Sequence, residues 1–150
     1  VVIDAVRKGE HPFIRANFAA GDMVGHSGKL QAAIIAVETV DLSVGRILPV
    51  VMTARGTLVV TSDHGNSEDM VERDEEGRPK LDDEGRPRSK TAHSLNPVEF
   101  FVLDGAGREV SLREDLPQAG LGNVAGTLIE LLGYVPPEIY DPSMLGGEDR

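Results

Sequence analysis

Thr57-Leu58-Val59-Val60-Thr61-Ser62-Asp63-His64-Gly65-Asn66 decides how this chain is read. Its first half is an apolar run with the look of a buried strand. Its second half sets a carboxylate and an imidazole side by side where that strand ends, and Gly65 lets the backbone turn sharply. In open α/β sheets, ligands gather at the carboxyl ends of strands, so the position matters as much as the residue types. Asp-His alone is a common dipeptide. Its meaning depends on whether other donors of the same kind end other strands.

Upstream, Val1–Lys8 reads as the last turns of a helix closed by Gly9, and the chain carries no start methionine, the mark of a piece of a longer protein. Phe13–Phe18 is predicted as a short strand. It leads into the glycine-rich turn 19–28, which bears Asp22 and His26. Leu30, Ile34, Val37, Val40, Val44, Ile47, Leu48 and Val51 then recur at three- and four-residue spacing, the stripe of an amphipathic helix, with Ser27 as its N-cap and Arg55-Gly56 at its end. Strand, helix, strand makes a parallel crossover, which would bring the turn at 19–28 and the turn at 63–66 to the same edge of the sheet.

Downstream, the composition changes from about 70 to 90. Asp74-Glu75-Glu76-Gly77-Arg78-Pro79-Lys80 is echoed by Asp82-Asp83-Glu84-Gly85-Arg86-Pro87-Arg88, and 72–90 holds seven acids and six bases with no apolar face. The reading is a solvated excursion, a hairpin with glycine turns, with a lid or a partner surface as the alternative. Val98–Leu103 is a strand, so His93 lies just before it. Leu121–Leu132 is a helix with Val124, Leu128, Leu131 and Leu132 on one side, ended by Gly133 and by Pro136-Pro137. Tyr140–Arg150 reads as irregular.

The chain of 150 residues is long enough for one domain with a core, and its 40% hydrophobic and 27% charged residues are ordinary for a globular protein. A net charge of −10 argues against nucleic acid and against an anionic membrane surface, but not against a small anionic substrate beside bound cations. No stretch is apolar for the length of a membrane span, and no signal peptide opens the chain. The absence of cysteine removes disulfides and thiolate metal sites and fits a cytoplasmic location.

Asp22, His26, Asp63, His64 and His93 form the candidate constellation, since carboxylate oxygens and neutral imidazoles are the usual donors to Mn²⁺, Zn²⁺, Fe²⁺ or Co²⁺. Each has a plainer reading taken singly: a strand-end Asp as a turn former, a lone His as no ligand at all. Three of the four histidines nevertheless sit in turns beside predicted strands, two with an aspartate nearby. His11 reads as a surface residue, and Ser62, without a Gly-x-Ser-x-Gly elbow, as structural.

Three blocks, Asn17–His26, Ser62–Glu68 and Thr91–Val98, in that order, resemble the C-terminal metal motifs of cofactor-independent phosphoglycerate mutase, a family of the alkaline phosphatase superfamily. Leu121–Leu132 and Asp141–Leu145 resemble that superfamily's ending more loosely. The resemblance covers the chain except the charged near-repeat. It implies an α/β fold, three-layer α/β/α with a mostly parallel sheet, present here as a partial domain: residues 1–150 as the C-terminal portion of a phosphotransferase domain. It further implies Asp22, His26 and His93 around a first ion, usually Mn²⁺, and Asp63 and His64 as half of a second site. The nucleophilic serine, the glycerate-clamping arginines and the substrate domain would lie in segments absent here. No catalytic residue is therefore assigned within the chain, the substrate contacts stay open, and the 150 residues alone are expected to be inactive.

The expected activity of the whole protein is interconversion of 3- and 2-phosphoglycerate through a phosphoserine at a two-metal site. Another superfamily phosphohydrolase or phosphomutase, and a non-catalytic metal-binding module, remain as alternatives. Without its remaining strands, the sheet is expected to expose an apolar edge or to bury it against another copy.

Overall fold

A computed structural model describes residues 1–146; of the tail read as irregular, 147–150 lie outside the described residues. The chain divides into two compact units. One comprises Val1–Arg15, Ile47–Asp63 and the residues from Glu99 onward; the other comprises Ala16–Arg46 and His64–Val98.

The first unit opens on α1 (Val2–Lys8), whose Asp4 and terminal Arg7 and Lys8 match the helix dipole. Gly9 ends it in the left-handed region (φ 63°), donating its N–H to Ala5 and Val6 carbonyls. The segment Phe13–Phe18 forms no strand. Its alternating apolar residues mark a surface able to pack, but pairing needs a partner that local sequence does not specify. The long helix α3 (Leu30–Thr53) begins in the second unit and ends in the first. It starts two residues later than expected, because the Ser27 hydroxyl closes a turn on the Lys29 N–H and the Val24 carbonyl instead of capping α3.

The strands β1 (Thr57–Thr61) and β2 (Phe100–Asp104) pair antiparallel, from Thr57↔Asp104 to Thr61↔Phe100. The predicted parallel crossover is thus replaced, among the described residues, by a two-stranded antiparallel pair. The β1 run is correct, but periodicity identifies a strand without naming its neighbour. Phe101 and Leu103 are exposed on one face of β2.

At the far end of the pair, the Asp104 side chain is 1% exposed and accepts hydrogen bonds from the Arg108 guanidinium (2.7 Å), the Arg108 N–H (2.9 Å) and the Thr57 hydroxyl (2.7 Å). These donors, the guanidinium first, hold its carboxyl far below the usual range. A depressed carboxyl stabilises the fold fully above the unfolded-state pKa near 4 and loses that contribution as pH falls. Asp104→Asn is therefore expected to destabilise the protein at neutral pH, with the gap to wild type closing below pH of about 4. Urea unfolding across pH 2–7 checks this, and a gap independent of pH would contradict it.

The last helix of the unit, α4 (Gly122–Leu131), buries Asn123, Gly126 and Thr127, while Val124 and Leu128 on its apolar side are half-buried. The reason is the returning segment 141–145. Asn123 Nδ2 donates to the Pro142 carbonyl (2.7 Å), and the Thr127 hydroxyl, fully buried, accepts the Met144 N–H (2.9 Å). A hydrogen-bonded face satisfies that backbone where an apolar one could not.

In the second unit, the charged near-repeat becomes two copies of one structure. In each, the aspartate (Asp74 or Asp82) accepts the N–H groups two and four residues on and pairs with the arginine (Arg78 or Arg86). Gly77 and Gly85 take φ 79° and 78°, a turn conformation that side chains resist. Pro79 and Pro87 face Arg73 and Leu81 at non-hydrogen-bonded positions of the ladder, where a missing N–H costs nothing. The two arms close on a ring of backbone bonds: Lys80 N–H to Glu72 carbonyl, Arg88 N–H to Lys80 carbonyl, Glu72 N–H to Arg88 carbonyl.

Candidate metal centre

The segment read as a glycine-rich turn is in fact a six-residue helix, α2 (Ala20–Gly25), with His26 at its C-cap. That helix explains the pairing of two donors. Asp22 and His26 are four residues apart, so they fall on one face. His26 Nε2 lies 3.1 Å from Asp22 Oδ1. His93 arrives from the loop after the charged arms, with its Nε2 3.1 Å from the same Oδ1 and 3.1 Å from His26 Nε2.

Three donor atoms thus form a triangle with sides of 3.1 Å. An ion held at about 2.0–2.2 Å separates adjacent donors by roughly 3.0–3.4 Å, so the triangle fits a divalent metal. His26 Nδ1 sits 2.6 Å from the Thr91 carbonyl, which can only accept. In the neutral ring Nδ1 therefore carries the proton, and the Nε2 lone pair is directed at the other two donors. One anionic oxygen and two imidazole nitrogens make a donor set suited to Mn²⁺, Zn²⁺, Fe²⁺ or Co²⁺.

Around the triangle, loop 64–68 does the positioning. Asn66 is 6% exposed, and its Nδ2 donates to Asp22 Oδ1 (3.0 Å). A carboxylate only accepts, so this contact fixes which end of the amide faces Asp22. Asn66 Oδ1 is buried against Gly25, with no hydrogen-bond partner among the described residues. The Ser67 hydroxyl donates to the Gly21 carbonyl (2.7 Å). His64 stacks on His93, ring centres 3.6 Å apart, and donor atoms of Asp22, His64 and His93 all lie within 4.8 Å of one another.

The structure therefore brings Asp22, His26 and His93 together with His64 beside them, all in one unit. Asp63 is exposed and belongs to the other unit, at the end of the β1 segment. Sequence reasoning assigned no role to Asn66 or Thr91, which contact Asp22 and His26, or to Glu68 and Ser94, which join the loops around them. The available signal was the i,i+4 spacing of Asp22 and His26, which marks a helix. No signal pointed to Thr91, which contributes only its carbonyl.

The Metalloenzyme superfamily model matches residues 1–136. The 2,3-bisphosphoglycerate-independent phosphoglycerate mutase of Trypanosoma brucei brucei is 46% identical over 145 residues, 95% of this chain and 26% of that protein. Phosphoglycerate mutase 1 of the same kind from Arabidopsis thaliana is 43% identical over 143 residues, again 95% of this chain and 26% of its own length. A crystal structure of Leishmania mexicana phosphoglycerate mutase at low cobalt concentration superposes with a TM-score of 0.94 at 44% identity, covering 98% of this chain and 27% of that one. The chain thus spans about a quarter of the length of these relatives. Its fold class is α/β, an alkaline-phosphatase-like partial domain.

Proposed function

Because the chain belongs to the metalloenzyme superfamily, we propose that it holds a divalent ion through Asp22, His26 and His93 and serves in interconverting 3- and 2-phosphoglycerate. The observation that carries the reading is the 3.1 Å donor triangle, with a lone pair aimed into it by the His26–Thr91 contact. The substrate comes from the names of the relatives. Mn²⁺ is the preferred ion, with Zn²⁺, Co²⁺ and Fe²⁺ as alternatives. Asp63 and His64 are assigned to a second ion, completed by residues outside these 150. The same holds for the phosphorylated serine and the substrate-binding domain. A reducing cytoplasm is the proposed location, in keeping with a cysteine-free chain.

Bound ions would supply charge neutralisation and Lewis acidity for phosphoryl transfer. The chain's own residues keep the donors still. Asp22 brings the negative charge, Asn66 sets the orientation of its carboxylate, and Thr91 fixes the His26 tautomer.

The test uses the open reading frame that encodes this chain, expressed whole, stripped with chelator and resupplied with Mn²⁺. Conversion of 3-phosphoglycerate without added 2,3-bisphosphoglycerate is expected, abolished by chelation and restored by Mn²⁺. Turnover that needed 2,3-bisphosphoglycerate, or that survived full metal removal, would overturn the proposal. The 150 residues alone should show no turnover.

A further inference from the structure

Loop 64–68 and loop 93–96 are joined through one carboxylate, that of Glu68. Its Oε2 accepts the Asn66 backbone N–H at 2.6 Å. Its Oε1 accepts the Ser94 hydroxyl and, at 3.1 Å, Asn96 Nδ2. The Ser94 N–H in turn donates to the Gly65 carbonyl at 2.9 Å, an isolated antiparallel bridge between the two loops. One end of this connection is next to His93 in the chain. The other end is Asn66, whose amide grips the oxygen of Asp22 that both His26 and His93 approach.

We propose that Glu68 is a positioning residue for the metal centre: its carboxylate ties the His93 loop to the Asn66 loop and so sets the distance between His93 and Asp22. Two features make the carboxylate specifically suited. All three groups on it are donors, so it must accept three times with two oxygens, which an amide cannot do. Donors on a carboxylate also form charge-assisted bonds, stronger than neutral ones. The Ser94 hydroxyl, the largest contributor, holds the Glu68 carboxyl below its ordinary range, so it is ionised throughout the neutral region. Glu68 touches neither ion nor substrate in this role; it acts through Asn66 and Ser94.

The inference rests on the metal reading above, and its test separates the two. Mn²⁺ affinity is measured by isothermal titration calorimetry on the wild-type protein and on Glu68→Gln, Glu68→Asp, Ser94→Ala and the Glu68→Gln/Ser94→Ala pair. Thermal midpoints of the metal-free forms are recorded beside them. Glu68→Gln is expected to weaken Mn²⁺ binding by about tenfold, the range found for groups that orient metal ligands. Because the two residues act as one connection, the double variant should lose little more than Glu68→Gln alone. Glu68→Asp, which keeps the charge, should recover part of the loss. A Glu68→Gln affinity within twofold of wild type would overturn the role, as would effects of Glu68→Gln and Ser94→Ala that simply multiply. A loss of thermal stability with unchanged affinity would assign Glu68 to the fold alone and equally overturn it. Should the glutamine variant fail to fold, Ser94→Ala carries the same test on its own, an unchanged affinity overturning the role. Absence of Mn²⁺ binding by the wild type would instead sink the metal reading itself.

Discussion

Asp22→Ala is expected to weaken Mn²⁺ binding by at least about 100-fold in calorimetry while leaving the chain folded. Of the three converging donors, only the Asp22 carboxylate carries charge, and its Oδ1 is the one atom 3.1 Å from both imidazole nitrogens. Removing it leaves two neutral donors at one side of an open space. Folding should tolerate the change, because the Asp22 side chain is 36% exposed and alanine favours the helix it sits in. The fold also loses the bond from the buried Asn66 Nδ2, about 1–3 kcal/mol. His93→Ala should act in the same direction, and unchanged affinity in both variants would refute the donor assignment.

Gly25→Ala should damage fold and site together. A Cβ there would lie 2.1 Å from Asn66 Oδ1, 2.8 Å from Asn66 Cγ and 2.8 Å from the Ser67 hydroxyl. Asn66 is buried and held at its backbone by Glu68, so it has no rotamer to retreat into without breaking its bond to Asp22. Overpacking of this kind, with the Asn66 and Ser67 hydrogen bonds lost, should cost about 3 kcal/mol, or roughly 10 °C in the thermal midpoint. Mn²⁺ affinity should fall with it. Gly45→Ala, in the interior of α3 with nothing within 4 Å of the added carbon, is the contrast, and should be neutral to stabilising. A Gly25→Ala protein as stable as wild type would mean that Asn66 is not packed against α2.

Much of this molecule can be read from its residues, and the limits are physical. The β1 run, the long helix and the charged excursion declare themselves by local pattern, and the structure contains all three. Phe13–Phe18 does not become a strand, because a strand is a relation between two segments and the sequence shows only one. The buried residues of α4 were not legible for a related reason. Counting apolar residues selects Val124 and Leu128, but the neighbour is a stretch of backbone that needs donors and acceptors, so Asn123 and Thr127 face it. At the candidate metal centre the donor residue types were visible and the resemblance grouped Asp22, His26 and His93, but the helix that joins the first two was not read. Asp22 and His26 meet through helix geometry hidden behind two glycines, and Glu68 acts through three contacts that no spacing encodes.

The ring of bonds at Glu72, Lys80 and Arg88 gives the charged arms a topology like a three-way junction in a folded nucleic acid. Two arms leave it and return, at 72–80 and 80–88, and the stem through the Val71↔Ser89 bridge is the third. Each branch begins with the same kind of pair, Arg73 with Pro79, Leu81 with Pro87 and Val71 with Ser89. An eight-residue duplication can therefore be absorbed without moving the stem, because the second copy closes on the ring as the first does. Growth of this kind leaves Met70 and Lys90 joined and hands the chain back in register just before His93. The excursion is thus insulated from the centre it precedes, and its length is free to drift while the position of His93 is not.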